Sequence, residues 1–174
     1  MNKLIYPIAV LAVMVTSAFV VMRSQNWKVA NHYSVKFSCG DASGEFSGLE
    51  GTLNFAPADL ASSKFEVSID ATAINTGNGT KNRHIKSANW IDAEKYPFIT
   101  FTSSHISQTA KGYEAKGMLE LHGVKKEVII PFTFINNIFS GSFTINRIDY
   151  NINSSDKDDD QSVRLELSVP VSRL

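Results

Sequence analysis

In the stretch "KNRHIKSANWIDAEKYPFITFTSS", residues 81–104, Arg83, His84, Lys86, Trp90, Asp92 and Glu94 fall within a dozen positions. An imidazole set among carboxylates and cations has the makings of a general base. That chemistry requires the groups to converge on one reacting atom, with the base held by a third partner, and sequence spacing supplies no such convergence. Two further readings fit the same residues. In one, Tyr96-Pro97 opens a strand, Trp90 packs a helix onto the body of the fold and the charges are solvated. In the other, Arg83 and His84 sit over a ligand pocket and meet a polar head group, while Trp90 covers the entry of an apolar tail.

The other polar constellations are sparser. In "GSFTINRID" the apolar row Phe143 and Ile145, continued by twos, lands on Arg147 and Asp149, so both are expected to point inward near a strand end. Buried together they avoid the several kcal/mol that an unpaired buried charge costs. The guanidinium is also suited to meet a phosphate or quinone oxygen at the polar end of a pocket. His122 precedes Gly123 and reads as a hairpin residue, and His32 and His105 have no evident partner. No HExxH-like spacing exists, so no metal is expected. Asp156, Asp158 and Asp160 alternate in "DKDDDQ", but a calcium loop needs glycine where Gln161 stands and glutamate where Leu167 stands. A solvated loop before the last strand is expected instead. The single cysteine, Cys39, cannot form an internal disulfide and reads as a small buried residue.

The elements that must position these groups follow from patterning. The chain has 174 residues, 43% of them hydrophobic, which is enough for one well-buried domain. Seventeen basic and seventeen acidic residues balance, so nothing marks a nucleic-acid surface. From Leu4 to Met22 the sequence carries no charge, and it is bounded by Lys3 and Arg23. This is either a cleaved signal peptide, with Thr16-Ser17-Ala18 as the small-residue site, or an uncleaved membrane anchor. The division expected is residues 1–26 for this segment and 27–174 for the folded domain. That domain is expected on the exported side of a bacterial envelope, in the periplasm, with residues 4–22 removed or holding it at the inner membrane.

After Trp27 the dominant period is two, the mark of strands with one buried face. In "KFEVSIDATA" the row is Phe65, Val67, Ile69, Ala71 and Ala73; in "YEAKGMLEL" it is Tyr113, Ala115, Gly117, Leu119 and Leu121. Further rows are Tyr33, Val35, Phe37 and Cys39; Val124, Val128, Ile130, Phe132 and Phe134; and Val163 through Val171. Short turns at "DASG", His122-Gly123 and Asn136-Asn137 make sequence neighbours pair antiparallel. An all-β fold follows: a single antiparallel up-and-down barrel of about eight strands, closed because closure leaves no exposed edge. One short helix is expected over about residues 78–88, and a helical turn at "PADLASS" behind Pro57. Small inward residues such as Ala115, Gly117 and Gly141 leave the interior partly unfilled, so an apolar tunnel is expected.

The runs "NTGNGTKNRHIKSANWIDAEKYPFITFTSS", "GMLELHGVKKEVIIPFTF" and "GSFTINRIDYNI" resemble, in order and spacing, the signatures of the YceI-like family of exported lipid-binding proteins, across residues 32 to about 171. The resemblance implies a lipocalin-like barrel that holds a polyisoprenoid or another long-chain amphiphile, such as a quinone, with no catalytic residue and no cofactor. The ligand-contacting residues expected are Arg83, His84, Trp90, Phe101, Gly117, Phe132, Phe143 and Arg147. Two other readings differ in what they require. An envelope enzyme acting on an isoprenoid lipid, with His84 as base, requires turnover. An interaction protein docking a membrane redox partner requires a solid barrel.

Overall fold

The structure, a computed structural model, describes residues 25–40, 42–152 and 161–174. The apolar segment 4–22, Asp41 of the "DASG" turn and the acidic run 156–160 lie outside these residues. The strands are β1 (Asn26–Val29), β2 (Ser34–Cys39), β3 (Ala42–Phe46), β4 (Glu50–Asn54), β5 (Lys64–Asp70), β6 (Ile74–Asn75), β7 (Phe98–Thr109), β8 (Gly112–Leu121), β9 (Val124–Ile135), β10 (Ile138–Asn146) and β11 (Ser162–Arg173), with helix α1 (Gly79–Lys86) between β6 and β7.

These segments form eight antiparallel staves. β1 and β2 are two halves of one stave, because both pair with β11, at Trp27↔Arg173 and at Phe37↔Leu165. β3 and β4 form the next stave, since β3 pairs with β2 and β4 with β1. β5 and β6 form the third, pairing with β4 and β3 respectively. The remaining five run unbroken from β7 to β11, and the contact of β1 with β11 closes the barrel. The expected architecture is therefore present.

The three broken staves are neighbours, and their breaks lie side by side. The Tyr33 hydroxyl in the first accepts the Leu49 N–H of the second at 3.0 Å. Gly48, at φ +73°, lies against Asp70 so closely that a Cβ there would come within 2.7 Å of the Asp70 Cβ. Asp70 makes the third break itself: its carboxylate accepts the Thr72 N–H at 2.8 Å and turns Ala71–Ala73 into a 3-10 turn. The row read from the sequence as continuing through Ala71 and Ala73 therefore stops at Ile69. The helical turn expected at "PADLASS" is also absent. Residues 56–63 instead fold as successive tight turns (Asp59 N–H to Ala56 O, Ser63 N–H to Leu60 O), with the Ser63 hydroxyl donating to Asp59 O.

Exposure along the inward rows shows where the interior is full. On β11, Val169 and Val171 are buried, whereas Val163, Leu165 and Leu167 on the same face are only half-buried. β10 repeats this from Phe139 to Phe143 and Ile145, and β5 from Phe65 to Val67 and Ile69. These three strands pass from a solid end into a hollow one. At the solid end Phe55, fully buried, lies 5.1–6.1 Å from the rings of Phe65, Tyr113, Phe132, Phe134 and Phe139, and Trp27 meets Phe134 edge-on. Edge-to-face aromatic packing of this kind contributes beyond the area it buries.

At the hollow end β6 has no strand on its outer edge among the described residues, and the excursion 76–97 covers that gap. Helix α1 starts where Asn78 Oδ1 accepts the N–H groups of Thr80 and Lys81, a side-chain N-cap. It ends near its expected limit, and its apolar residue Ile85 turns inward and is buried. The two hairpins read from the sequence are present, with positive φ at both His122 and Gly123 and at both Asn136 and Asn137.

Gly117 does not leave room for a ligand. A Cβ there would come within 2.3 Å of Thr102 O and 2.7 Å of the Ser103 Cα on β7, next to the shift of register that β7 takes against β8 between Ser103 and His105. The buried Ser103 hydroxyl accepts the Phe65 N–H at 2.8 Å, which replaces a ladder bond lost where β5 and β7 part. Gly117→Ala should therefore destabilise the protein by about 1–3 kcal/mol through overpacking against backbone. Gly79→Ala should not, since its nearest atom is the flexible Arg83 Nη1 at 3.8 Å. Thermal melting of the two variants checks the contrast; equal melting temperatures would contradict the close approach at Gly117.

Candidate functional site

Between the aromatic plug and α1 lies a cavity of about 230 Å3 with an almost wholly apolar wall. It is lined by inward strand residues, among them the buried Val35 and Phe37 and the half-buried Val67, Leu165 and Leu167, and by Ile74, Ile85, Trp90, Ile91 and Ile152 from the covering segments. A cavity of about 150 Å3 lined by aliphatic and aromatic groups stays dry and takes up benzene. By that measure this one accommodates about nine or ten carbons, roughly two isoprene units.

Of the residues singled out in the sequence, Trp90, Phe101, Phe132, Phe143 and Arg147 line the cavity. Arg83 and His84 do not. Both are exposed on the outer face of α1, where Arg83 donates to the Thr80 hydroxyl at 3.1 Å and the His84 ring packs 5.4 Å from that of Trp90. His84 thus touches the lid and not the lumen. Cys39 lines the cavity and is half-exposed rather than buried.

Among the described residues lining the cavity, Arg147 alone carries a charge. It is 3% exposed, yet it is not held by strand alternation. β10 ends at Asn146, whose Oδ1 accepts the Ile148 N–H at 2.9 Å and opens a 3-10 turn over Arg147–Tyr150. The turn closes through Asn151 at φ 57°, with Ile152 N–H donating to Arg147 O at 3.1 Å. Arg147 Nη1 donates back to Ile152 O at 3.1 Å, and the guanidinium lies 5.9 Å from the Trp90 ring centroid. The inward pair expected of Arg147 and Asp149 is not formed as expected, because the turn leaves Asp149 exposed. Arg147 therefore fastens the 147–152 turn and supports Trp90, which forms part of the lid.

The lid residues Ile74, Ile85, Ile91 and Ile152 were not legible as site residues. Ile74, Ile91 and Ile152 sit in or beside irregular segments, where neither period of two nor period of 3.6 assigns a face, and Ile85 is the single large apolar residue of α1, too few to define a helical stripe. Among the described residues no group of three or more histidine, cysteine, aspartate or glutamate side chains is placed to hold a metal.

A YceI-like domain model matches residues 26–171. The chain belongs to the YceI-like family. A UPF0312 protein of Vibrio cholerae is 34% identical over 113 residues, which cover 64% of this chain and 57% of the relative. The chain thus spans little more than half the length of the curated relatives it matches. Among solved structures, Burkholderia cenocepacia BcnA superposes with a TM-score of 0.74 at 25% identity, over 80% of this chain and 96% of that one. A polyisoprenoid-binding domain from Saccharophagus degradans, implicated in plant cell wall breakdown, superposes with a TM-score of 0.61 at 14% identity, over 87% and 100% of the two chains. At that identity the likeness shows the fold.

This YceI-like barrel also contains one strongly perturbed acid. Tyr150 is 1% exposed, its hydroxyl has no hydrogen-bond partner among the described residues, and burial, followed by the nearby Asp149 charge, pushes its pKa up to about 12. Its backbone carbonyl meets His122 Nδ1 at 2.9 Å and ties the turn to the β8–β9 hairpin. A folded-state pKa above the unfolded value near 10 means the unfolded chain loses its proton first. Stability from this group is thus complete below pH 10 and lost as pH rises toward 12. Tyr150→Phe should flatten that alkaline loss and leave neutral-pH stability unchanged or higher, because a buried oxygen without a partner is removed. Denaturant titrations at neutral and alkaline pH check it; a parallel alkaline decline in both proteins would exclude Tyr150 as the source.

Proposed function

We propose that this YceI-like barrel is an exported binding protein that shields the tail of a polyisoprenoid or similar long-chain amphiphile, a quinone included, from water. The observation that carries the reading is the apolar cavity between the Phe55 plug and the α1 lid. Each methylene moved into it from water contributes roughly 0.8 kcal/mol, enough over a tail segment to offset the ordering of a flexible chain. The apolar run Leu4–Met22 supports export, and the Saccharophagus degradans neighbour supports a polyisoprenoid as the class of ligand.

Binding without turnover fits the wall better than catalysis. The described lining residues offer one guanidinium, already engaged with a backbone carbonyl, and the Cys39 thiol, with no carboxylate or imidazole among them to exchange a proton. His84, the base an enzyme would need, faces solvent.

Leu167 offers a direct test. It points into the cavity, is half-buried, and stands between Val35 on β2 and Gly141 on β10. Leu167→Trp should place an indole in the lumen at little cost to folding and abolish lipid carriage. Native mass spectrometry of parent and variant purified from their own membranes reads the lipid, and thermal melting reads the fold. A parent without a stoichiometric lipid mass, or a folded variant that still carries one, would sink the proposal.

A further inference from the structure

The chain enters the barrel at its solid end. The Gln25 carbonyl accepts the N–H of Phe55, and the Asn26 carbonyl accepts the N–H of Leu174 at 3.2 Å. The Asn136-Asn137 hairpin lies on the same rim, with Asn137 O accepting the Val171 N–H at 2.8 Å. This rim exposes the two most solvent-accessible large apolar side chains among the described residues, Leu174 at 77% and Ile135 at 63%. Exposed Lys28, Lys111 and Arg173 lie at the same end, Arg173 over the Trp27 ring, as does the half-buried Asp59 of the 56–63 turns.

Three residue steps separate Gln25 from Met22, the last residue of the uncharged run. A fully extended chain covers at most about 3.6 Å per residue, so the rim lies within about 11 Å of the end of that run. A run of this length and composition approaches the ~20 residues needed to span a bilayer as a helix.

We infer that the solid rim, through Ile135 and Leu174 and the basic side chains at the same end, rests on the surface of an anionic lipid bilayer, and that the lidded end of the cavity points away from it. The inference rests on the export reading, with residues 4–22 retained, and is independent of what the cavity holds. Basic side chains also lie on α1 at the other end (Lys81, Arg83 and Lys86), and Phe98 is exposed there, so charge and apolarity do not set the orientation by themselves. The short tether does. Strands of 12 residues tilted as in small barrels then hold α1 about 30 Å above the lipid, so a tail reaches the cavity from the aqueous side or from a facing membrane.

The test uses the full chain in vesicles of phosphatidylcholine and phosphatidylglycerol containing nitroxide-labelled lipid. In a Cys39→Ala background, a fluorophore is attached at Ile135→Cys or at Phe98→Cys, both exposed positions at opposite ends. Quenching several-fold stronger at position 135 is expected. Adding Lys111→Glu and Arg173→Glu should weaken it. Equal quenching, stronger quenching at position 98, or a chain that fails to sediment with the vesicles overturns the inference, as does quenching at 135 that ignores both charge reversals. Failure of tail binding is read separately, by the absence of a lipid mass from the same preparation.

Discussion

Phe55 sits one residue past the end of β4, and both its ring and its backbone are committed. The ring is surrounded by Phe65, Tyr113, Phe132, Phe134 and Phe139. The carbonyl accepts Trp27 Nε1 at 2.9 Å, and the N–H donates to Gln25 O at 2.8 Å. β1 is short, and it closes the barrel by pairing with β11 on one side and β4 on the other. The same residue therefore fills one end of the cylinder and holds in place the stave that shuts it. Burial of one such ring contributes about 1.5–3 kcal/mol, and the ring contacts add to that.

Once the circumference is set by eight staves and one end is filled by aromatics, the aliphatic rows at the other end are too small to meet across the axis. The lumen follows from that mismatch. Its cover is made from what the broken staves release: where β5 gives way to the Asp70 turn and β6 stops after two residues, the chain is free to run into α1 and bring Ile85, Trp90 and Ile91 over the opening. The 147–152 turn completes the cover from the opposite wall, held by the bond between Arg147 and Ile152.

Much of this was legible in the sequence. Period-two rows gave the staves their inward faces, His122-Gly123 and Asn136-Asn137 marked hairpins, and Trp90, Phe101, Phe132, Phe143 and Arg147 were recognisable as residues that could line an interior. The errors share a cause. Alternation was extended past Asp70 to Ala71 and Ala73, and past Asn146 to Asp149, when each of those first residues turns the chain by accepting the N–H two positions on. An aspartate or asparagine at a strand end was the available signal. Gly117 failed differently: its missing side chain answers the close approach of the β7 backbone at Thr102 and Ser103, and no pattern within β8 reports the course of β7.

The division into a plugged end and a hollow end also separates two demands on the sequence. Side chains around Phe55 carry the fold, while the half-buried residues facing the lumen on β5, β10 and β11 carry less of its packing, because they stand against empty space. Replacements among Val67, Leu165 and Leu167 can change the width and depth of the lumen without disturbing the plug. A lineage built on this barrel can therefore drift toward a different cargo while its architecture persists, and a protein engineer can treat the plugged half as fixed and the hollow half as the variable part.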